Sequence, residues 1–289
     1  MKVLKVVGLV LAGMSFAGIA SAAMIQVKGS DTIINLAQKE AEVFMQQNPG
    51  AKISVTGGGS GTGIAALINK RCDIADASRA ISAKEVDMAV ANGVNPSRIV
   101  IAYDAVTIVV NSGNPIKELT KDQVGAIYRG KITNWSEVGG SNMPINLYGR
   151  QSNSGTYSFM QEMVLKGDYS PKMNAMNGNS QIVEAVKADP SAIGYIGIGY
   201  AKEATGVTLL EIKMTKDGIA VNPTDKASVM SGKYPIARPL YQYVSGTPSG
   251  MVKEFIQFEL SPEGQKIVEE QGFYEIPKEY ADANAALGL

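Results

Sequence analysis

Apolar positions along this chain recur with a period that switches between two residues and a helical repeat, and the switches come in regular order. Residues 24–27 read as a first strand, and Ile33, Leu36, Ala37, Ala41 and Phe44 then fall at helical spacing. The helix is opened by GSDT at 29–32, where Ser30, Asp31 and Thr32 are capping types, and is ended by Asn48-Pro49-Gly50. A strand over 53–55 leads into TGGGSGTG at 56–63, a helix follows from about residue 63 to 70, and residues 73–79 come next. Ser82 and Glu85 form a capping box for another helix ending near Asn92-Gly93. Three polar or glycine-rich strand-to-helix junctions in so short a span predict a mostly parallel sheet with ligand groups at the strands' carboxyl ends.

The run RIVIAYDAVTIVVN at 98–111 exceeds an ordinary strand, is interrupted by Asp104, and reads as a crossing between two lobes. A second α/β set follows. Thr120 and Gln123 cap a helix reaching about Arg129, Trp135 sits in a loop ending at Gly139-Gly140, and a strand over 144–148 delivers Arg150. Ser154-Gly155-Thr156 then opens a helix bearing Phe159, Met160 and Met163, whereas residues 166–179 read as a surface excursion. Strand character returns at 192–196 and 207–212, and residues 236–244 form a second long run that would carry the chain back. Helices over 248–260 and 262–271, each with proline at its start, would pack on the first lobe. The fold class is therefore α/β, with lobe 1 over 23–104 and 239–289 and lobe 2 over 105–238.

The N-terminus adds a compartment. Lys2 and Lys5 flank a short apolar run that ends in Ala20-Ser21-Ala22, the pattern of a removable secretory signal peptide over 1–22. The chain carries 27 Lys and Arg against 27 Asp and Glu, so losing both lysines leaves a slightly acidic product with no basic run to hold nucleic acid. Histidine is absent, which removes the Ser-His-Asp triad and His-ligated metals. A single cysteine, Cys72, allows neither an internal disulfide nor a thiolate zinc site and is most simply a small buried hydrophobe.

The glycine run is the first candidate for chemistry. Free N–H groups and the positive dipole end of a helix attract anions, and residues without Cβ let a ligand approach the main chain. A tight turn alone would also need glycine. A nucleotide-triphosphate loop is a poor match because Ile64 and Ala65 follow Gly63, and Gly61 to Ala66 satisfies only the weak dinucleotide pattern G-x-G-x-x-A. Ser30, Asp31, Thr32, Ser60 and Gly61 from the first half, with Arg150, Ser154, Gly155 and Thr156 from the second, suit one small tetrahedral oxyanion. A guanidinium grips two of its oxygens, and hydroxyls and N–H groups take the rest. A buried carboxylate beside such an anion repels it unless the ligand brings a proton, so the placement of Asp31 and Asp76 bears on selectivity.

Four motifs carry a resemblance. GSDT at 29–32, GGGSGTG at 57–63, YRGKITNWSEVGG at 128–140 and GRQSNSGT at 149–156 resemble the exported phosphate-binding proteins that serve bacterial phosphate ABC importers. The resemblance implies a type II, two-lobed periplasmic binding-protein fold with two crossing strands between lobes. It implies a monomer that captures inorganic phosphate and delivers it to a membrane permease, with no enzymatic step, cofactor or metal. Carried over by position, the ligand donors are Ser30, Thr32, Ser60, Arg150, Ser154, Gly155 and Thr156. Where well-known members have an Asp that accepts the phosphate proton, this chain has Ser78, followed by Arg79; both are candidate ligand contacts, and Asp31 or Asp76 is left to accept the proton if sulfate is to be rejected. Sulfate, arsenate or molybdate are the alternative ligands, a phosphoester hydrolase or a dehydrogenase the enzymatic alternatives, and an adhesin that kept the fold the structural one.

Overall fold

The computed structural model describes residues 24–202 and 204–289, so the signal peptide expected at 1–22 lies outside the described residues. The first part runs β1 (Ile25–Gly29), α1 (Ile34–Gln47), β2 (Ile53–Thr56), α2 (Ser60–Ile68), β3 (Ile74–Ala77) and α3 (Ala83–Ala91), then the long β4 (Pro96–Asn111). The second runs β5 (Glu118–Thr120), α4 (Lys121–Tyr128), β6 (Asn146–Arg150), α5 (Gly155–Met160), β7 (Asn174–Met176), α6 (Asn179–Ala188), β8 (Ala192–Gly197), β9 (Val207–Leu209), β10 (Glu211–Lys213) and α7 (Lys226–Met230). The chain returns through β11 (Ala237–Ser245) and ends in α8 (Gly250–Leu260), α9 (Pro262–Glu270) and α10 (Lys278–Ala285).

The sheet order is β2-β1-β3-β11-β4-β8-β6-β7, with β9 also on β4. β4 joins two halves. Its first part, Pro96 to Ala105, pairs antiparallel with β11, and from Val106 onward it pairs with β8 and then β9. In each half the strands that deliver polar junctions, β1 with β2 and β3, and β6 with β7 and β8, are parallel. Their carboxyl ends carry Ser30, the glycine run, Ser78 and Arg150 to the seam between lobes. The two lobes and the crossing strands match the sequence reading of the fold.

Apolar periodicity explains the packing. Leu36, Ala37, Ala41 and Phe44 form the buried face of α1, and Phe44 meets Phe255 of α8 edge-on with ring centroids 5.3 Å apart. Ser82 with Glu85 and Thr120 with Gln123 complete capping boxes for α3 and α4. Cys72 lies buried beside Ile64, Leu67 and Ile68, and burial pushes its thiol up to about 12, which suits a packing role.

Three local expectations change. Helix α1 begins only at Ile34, after an uncapped Ile33, so Ser30, Asp31 and Thr32 are not its N-cap: they lie in the turn before it, where their side chains are committed elsewhere. Helix α2 begins inside the glycine run, at Ser60, and passes hard against β1 at Gly63. A Cβ on Gly63 would stand 2.3 Å from the Lys28 carbonyl oxygen. Within 166–179, residues Asn174–Met176 are strand β7, paired in parallel with β6. Its two exposed positions and short length hid it among polar residues.

Candidate functional site

The polar junctions of both halves meet at the seam. Thr32 Oγ1 and Thr156 Oγ1 are 2.9 Å apart across it, although 124 residues separate them in sequence. Ser30 Oγ donates to Ser78 Oγ at 2.9 Å, Ser78 N–H donates to Ser60 Oγ at 3.0 Å, and the Ser60 and Ser78 hydroxyls lie 3.4 Å apart. Gly155 opens α5 against this group: a Cβ there would fall 2.4 Å from Ser60 Oγ and 2.7 Å from Ser78 Oγ. Glycine at this position is what lets lobe 2 approach so closely. Ser154 is the N-cap of α5, its hydroxyl accepting the Tyr157 N–H at 3.4 Å. Ser30, Thr32, Ser60, Ser78, Ser154 and Thr156 are all buried.

Arg150 supplies the positive charge. It ends β6 and is buried. Its Nη2 donates to Asp31 Oδ2 at 2.5 Å and to the Asn177 carbonyl at 2.8 Å, and Nε reaches the Met176 carbonyl at 3.3 Å. Nη1 is buried with no hydrogen-bond partner among the described residues. An unbonded buried guanidinium nitrogen is costly, and an anion would relieve it. Strand β7 thus presents the Met176 carbonyl to this side chain, and Asn177, the residue after it, presents the second.

Asp31 is in the group and bonds to both halves of the chain. Oδ1 accepts the Gly58 N–H at 2.7 Å and Oδ2 is taken by Arg150, while its carbonyl accepts the Tyr200 hydroxyl at 2.6 Å. Asp76 turns away from the hydroxyls. Its Oδ1 accepts from Gln242 Nε2 at 3.2 Å, and burial pushes its carboxyl up to about 7 against that bond. Asp31 is thus engaged with Gly58 and Arg150, and Asp76 with Gln242.

Two further candidates stand apart. Arg79 donates through Nη1 and Nη2 to the Glu85 carboxylate, at 2.8 and 2.7 Å, so the α3 capping box captures it and it does not join the hydroxyls. Gly61 is at the seam, but its N–H donates to the Asn153 carbonyl at 2.9 Å and is not free for an anion. Gly59, at φ 90°, is similarly close, since a Cβ would meet the Asn153 carbonyl oxygen at 2.6 Å. Here the glycines seal lobe to lobe.

Sequence reasoning missed Asn153, Asn177, Tyr200, Asp104 and Arg238. Asn153 Nδ2 donates to the Gly58 carbonyl at 2.9 Å, a contact no motif announces. Asp104 and Arg238 were legible in principle, because Asp104 is the one acidic residue of β4 and Arg238 the one charged residue of β11, and buried opposite charges so placed demand each other. Arg238 Nη2 donates to Asp104 Oδ2 at 2.8 Å and to Thr156 Oγ1 at 2.9 Å. Among the described residues no group of three or more acidic, Cys or His side chains could hold a metal.

Two α/β lobes joined by crossing strands, with buried hydroxyls and a part-bonded guanidinium where they meet, define a two-lobed solute-binding fold. The chain belongs to the PBP superfamily, whose domain profile matches residues 17–263. Similar curated proteins include the phosphate-binding protein PstS of Pseudomonas aeruginosa, 33% identical over 282 residues that span 90% of this chain and 86% of that one. Protein SphX of Synechococcus elongatus is 32% identical, spanning 89% of this chain and 79% of its own. Among solved structures, a putative phosphate ABC transporter substrate-binding protein from Clostridium perfringens, with bound phosphate, superposes with TM-score 0.79 at 29% identity. It covers 88% of this chain and 100% of that one. An ABC-type phosphate transport receptor from Vibrio cholerae gives TM-score 0.71 at 28% identity, covering 87% and 100%.

Proposed function

We propose that this protein captures inorganic phosphate between its lobes as the substrate-binding component of an ABC importer. It is a binding protein and not an enzyme. The observation that carries the reading is Arg150 Nη1, a buried guanidinium nitrogen left without a partner on a side chain that pairs with Asp31, the residue between Ser30 and Thr32. In this reading Ser30, Thr32, Ser60, Ser78, Ser154, Gly155, Thr156 and Arg150 hold the anion, and Asp31 orients Arg150. Charge-assisted bonds of this kind contribute roughly 1.5 to 3 kcal/mol each. Arg79 and Gly61 are left out because Glu85 and Asn153 occupy them.

Closure follows from where the donors come from. An anion that touches lobe 1 hydroxyls and lobe 2 Arg150 together gains contacts only when the lobes are shut, which is the differential affinity a population shift needs. The boundaries 23–104, 105–238 and 239–289 describe the lobes in this scheme, supported by the change of β4 partner between Ala105 and Val106. The protein works as a monomer outside the cytoplasmic membrane, exported by the segment at 1–22, and hands its ligand to a membrane permease. The relatives named for phosphate binding and phosphate transport support this role.

Calorimetric titration with phosphate, sulfate, arsenate and molybdate at two pH values tests the reading. Saturable binding of phosphate, with arsenate as its nearest competitor, is the expected result. Tight sulfate or molybdate binding with weak phosphate would transfer the function to another oxyanion.

A further inference from the structure

Behind the hydroxyls lies a second guanidinium–carboxylate pair whose bonds run to both lobes. Arg238 of β11 and Asp104 of β4 are register partners on the crossing strands, and both are buried. Arg238 Nε and Nη2 donate to Asp104 Oδ2 at 3.0 and 2.8 Å, and Asp104 Oδ1 accepts the Ile198 N–H at 2.9 Å. Arg238 Nη1 donates to the Ser78 carbonyl at 2.8 Å, and Nη2 also donates to Thr156 Oγ1 at 2.9 Å. The Phe159 ring of lobe 2 lies 5.0 Å from the guanidinium carbon. One planar cation thus holds a lobe 1 main-chain oxygen, a lobe 2 hydroxyl and the hinge carboxylate at once.

A buried ion pair gives little net stability, because desolvation offsets most of the attraction, so stability alone is a weak reason for having one here. Direction is a better reason. Nη1 and Nη2 leave the same rigid plane, so the Ser78 carbonyl and the Thr156 hydroxyl are held at one separation across the seam. We propose that Arg238, neutralised by Asp104, is a positioning residue that favours the closed arrangement and aims Ser78 and Thr156 at the ligand without binding it. Lysine cannot take over this part, since a compact ammonium has no planar fork to span the three acceptors. The proposal rests on the phosphate reading only for the identity of the ligand.

The test compares wild type with Arg238→Lys and with the double variant Asp104→Asn/Arg238→Gln, which leaves no lone buried charge should the single change prevent folding. Spin labels at Met88→Cys and Met163→Cys, exposed positions in lobe 1 and lobe 2, report the distance between lobes by pulsed resonance. Without ligand, the variants should shift toward longer distances, and their phosphate affinity should fall by about tenfold or more, mainly through faster release. An unchanged distance distribution, with affinity within about twofold of wild type and only the melting temperature lowered, would overturn the proposal. Should wild type bind no phosphate, the phosphate reading fails, while the ligand-free distances still decide the part played by Arg238.

Discussion

Arg150 Nη2 and Asp31 Oδ2 lie 2.5 Å apart, joining residues 119 positions distant and drawn from opposite lobes. The carboxylate fixes the plane of the guanidinium from one side and leaves Nη1 unbonded. Asp31→Asn keeps the shape and removes the charge. It should weaken phosphate binding by about tenfold to a hundredfold, and Arg150→Ala by several kcal/mol, measured by calorimetry on folded protein. Equal affinity in wild type and Arg150→Ala would move the site elsewhere.

Gly155→Ala probes the close approach of lobe 2. Its methyl would crowd the Ser60 and Ser78 hydroxyls at 2.4 and 2.7 Å, so closure should suffer while each lobe keeps its own core. The expected outcome is a loss of at least about tenfold in affinity, with the ligand-free melting temperature changed by only a few degrees.

Arg79→Ala serves as the contrast. Its partner is Glu85 on the half-buried rim of α3, so removal should lower stability by less than about 1 kcal/mol and leave phosphate affinity within about twofold. A large loss of affinity would return Arg79 to the ligand.

A pH dependence arises away from the seam. Glu40, Glu259 and Asp76 are buried together around Gln242, whose Nε2 donates to Asp76 Oδ1 and, at 2.9 Å, to Glu259 Oε1. Both Glu40 oxygens, Glu259 Oε2 and Gln242 Oε1 have no partner among the described residues. Burial raises both glutamates well above the ordinary carboxylate range, with neighbouring acid charges adding to it, and brings Asp76 to about 7. The folded protein therefore holds protons that the unfolded chain releases near pH 4, so this contribution to stability is complete below about pH 4 and is lost as pH rises through about 7. Melting temperatures followed from about pH 5 to about pH 8.5 should fall, and Glu40→Gln should flatten the slope. A rise across that range would contradict these carboxyls being protonated.

The fold was largely legible because its signals are local. Strand-like runs of unusual length marked β4 and β11 as crossings, and the capping pairs at Ser82 and Thr120 set helix starts without help from tertiary contacts. The site was legible as a set of donor types at junctions, including Ser30, Ser60 and Thr156. What each side chain faces was not. Arg79 was read toward the ligand, yet Glu85 six residues on captures it, and Gly61 looked like a free donor until Asn153 from the other lobe took its N–H. Arg238 was missed for the same reason: its partners, Asp104, Ser78 and Thr156, are distant in sequence and meet only in the folded chain.

The most direct measurement is a calorimetric titration of inorganic phosphate into wild-type protein stripped of bound anion, with the Arg150→Ala variant run beside it. The account expects one phosphate per chain, micromolar or tighter, with the variant weaker by at least about a hundredfold. No saturable heat from wild type at millimolar phosphate would contradict it.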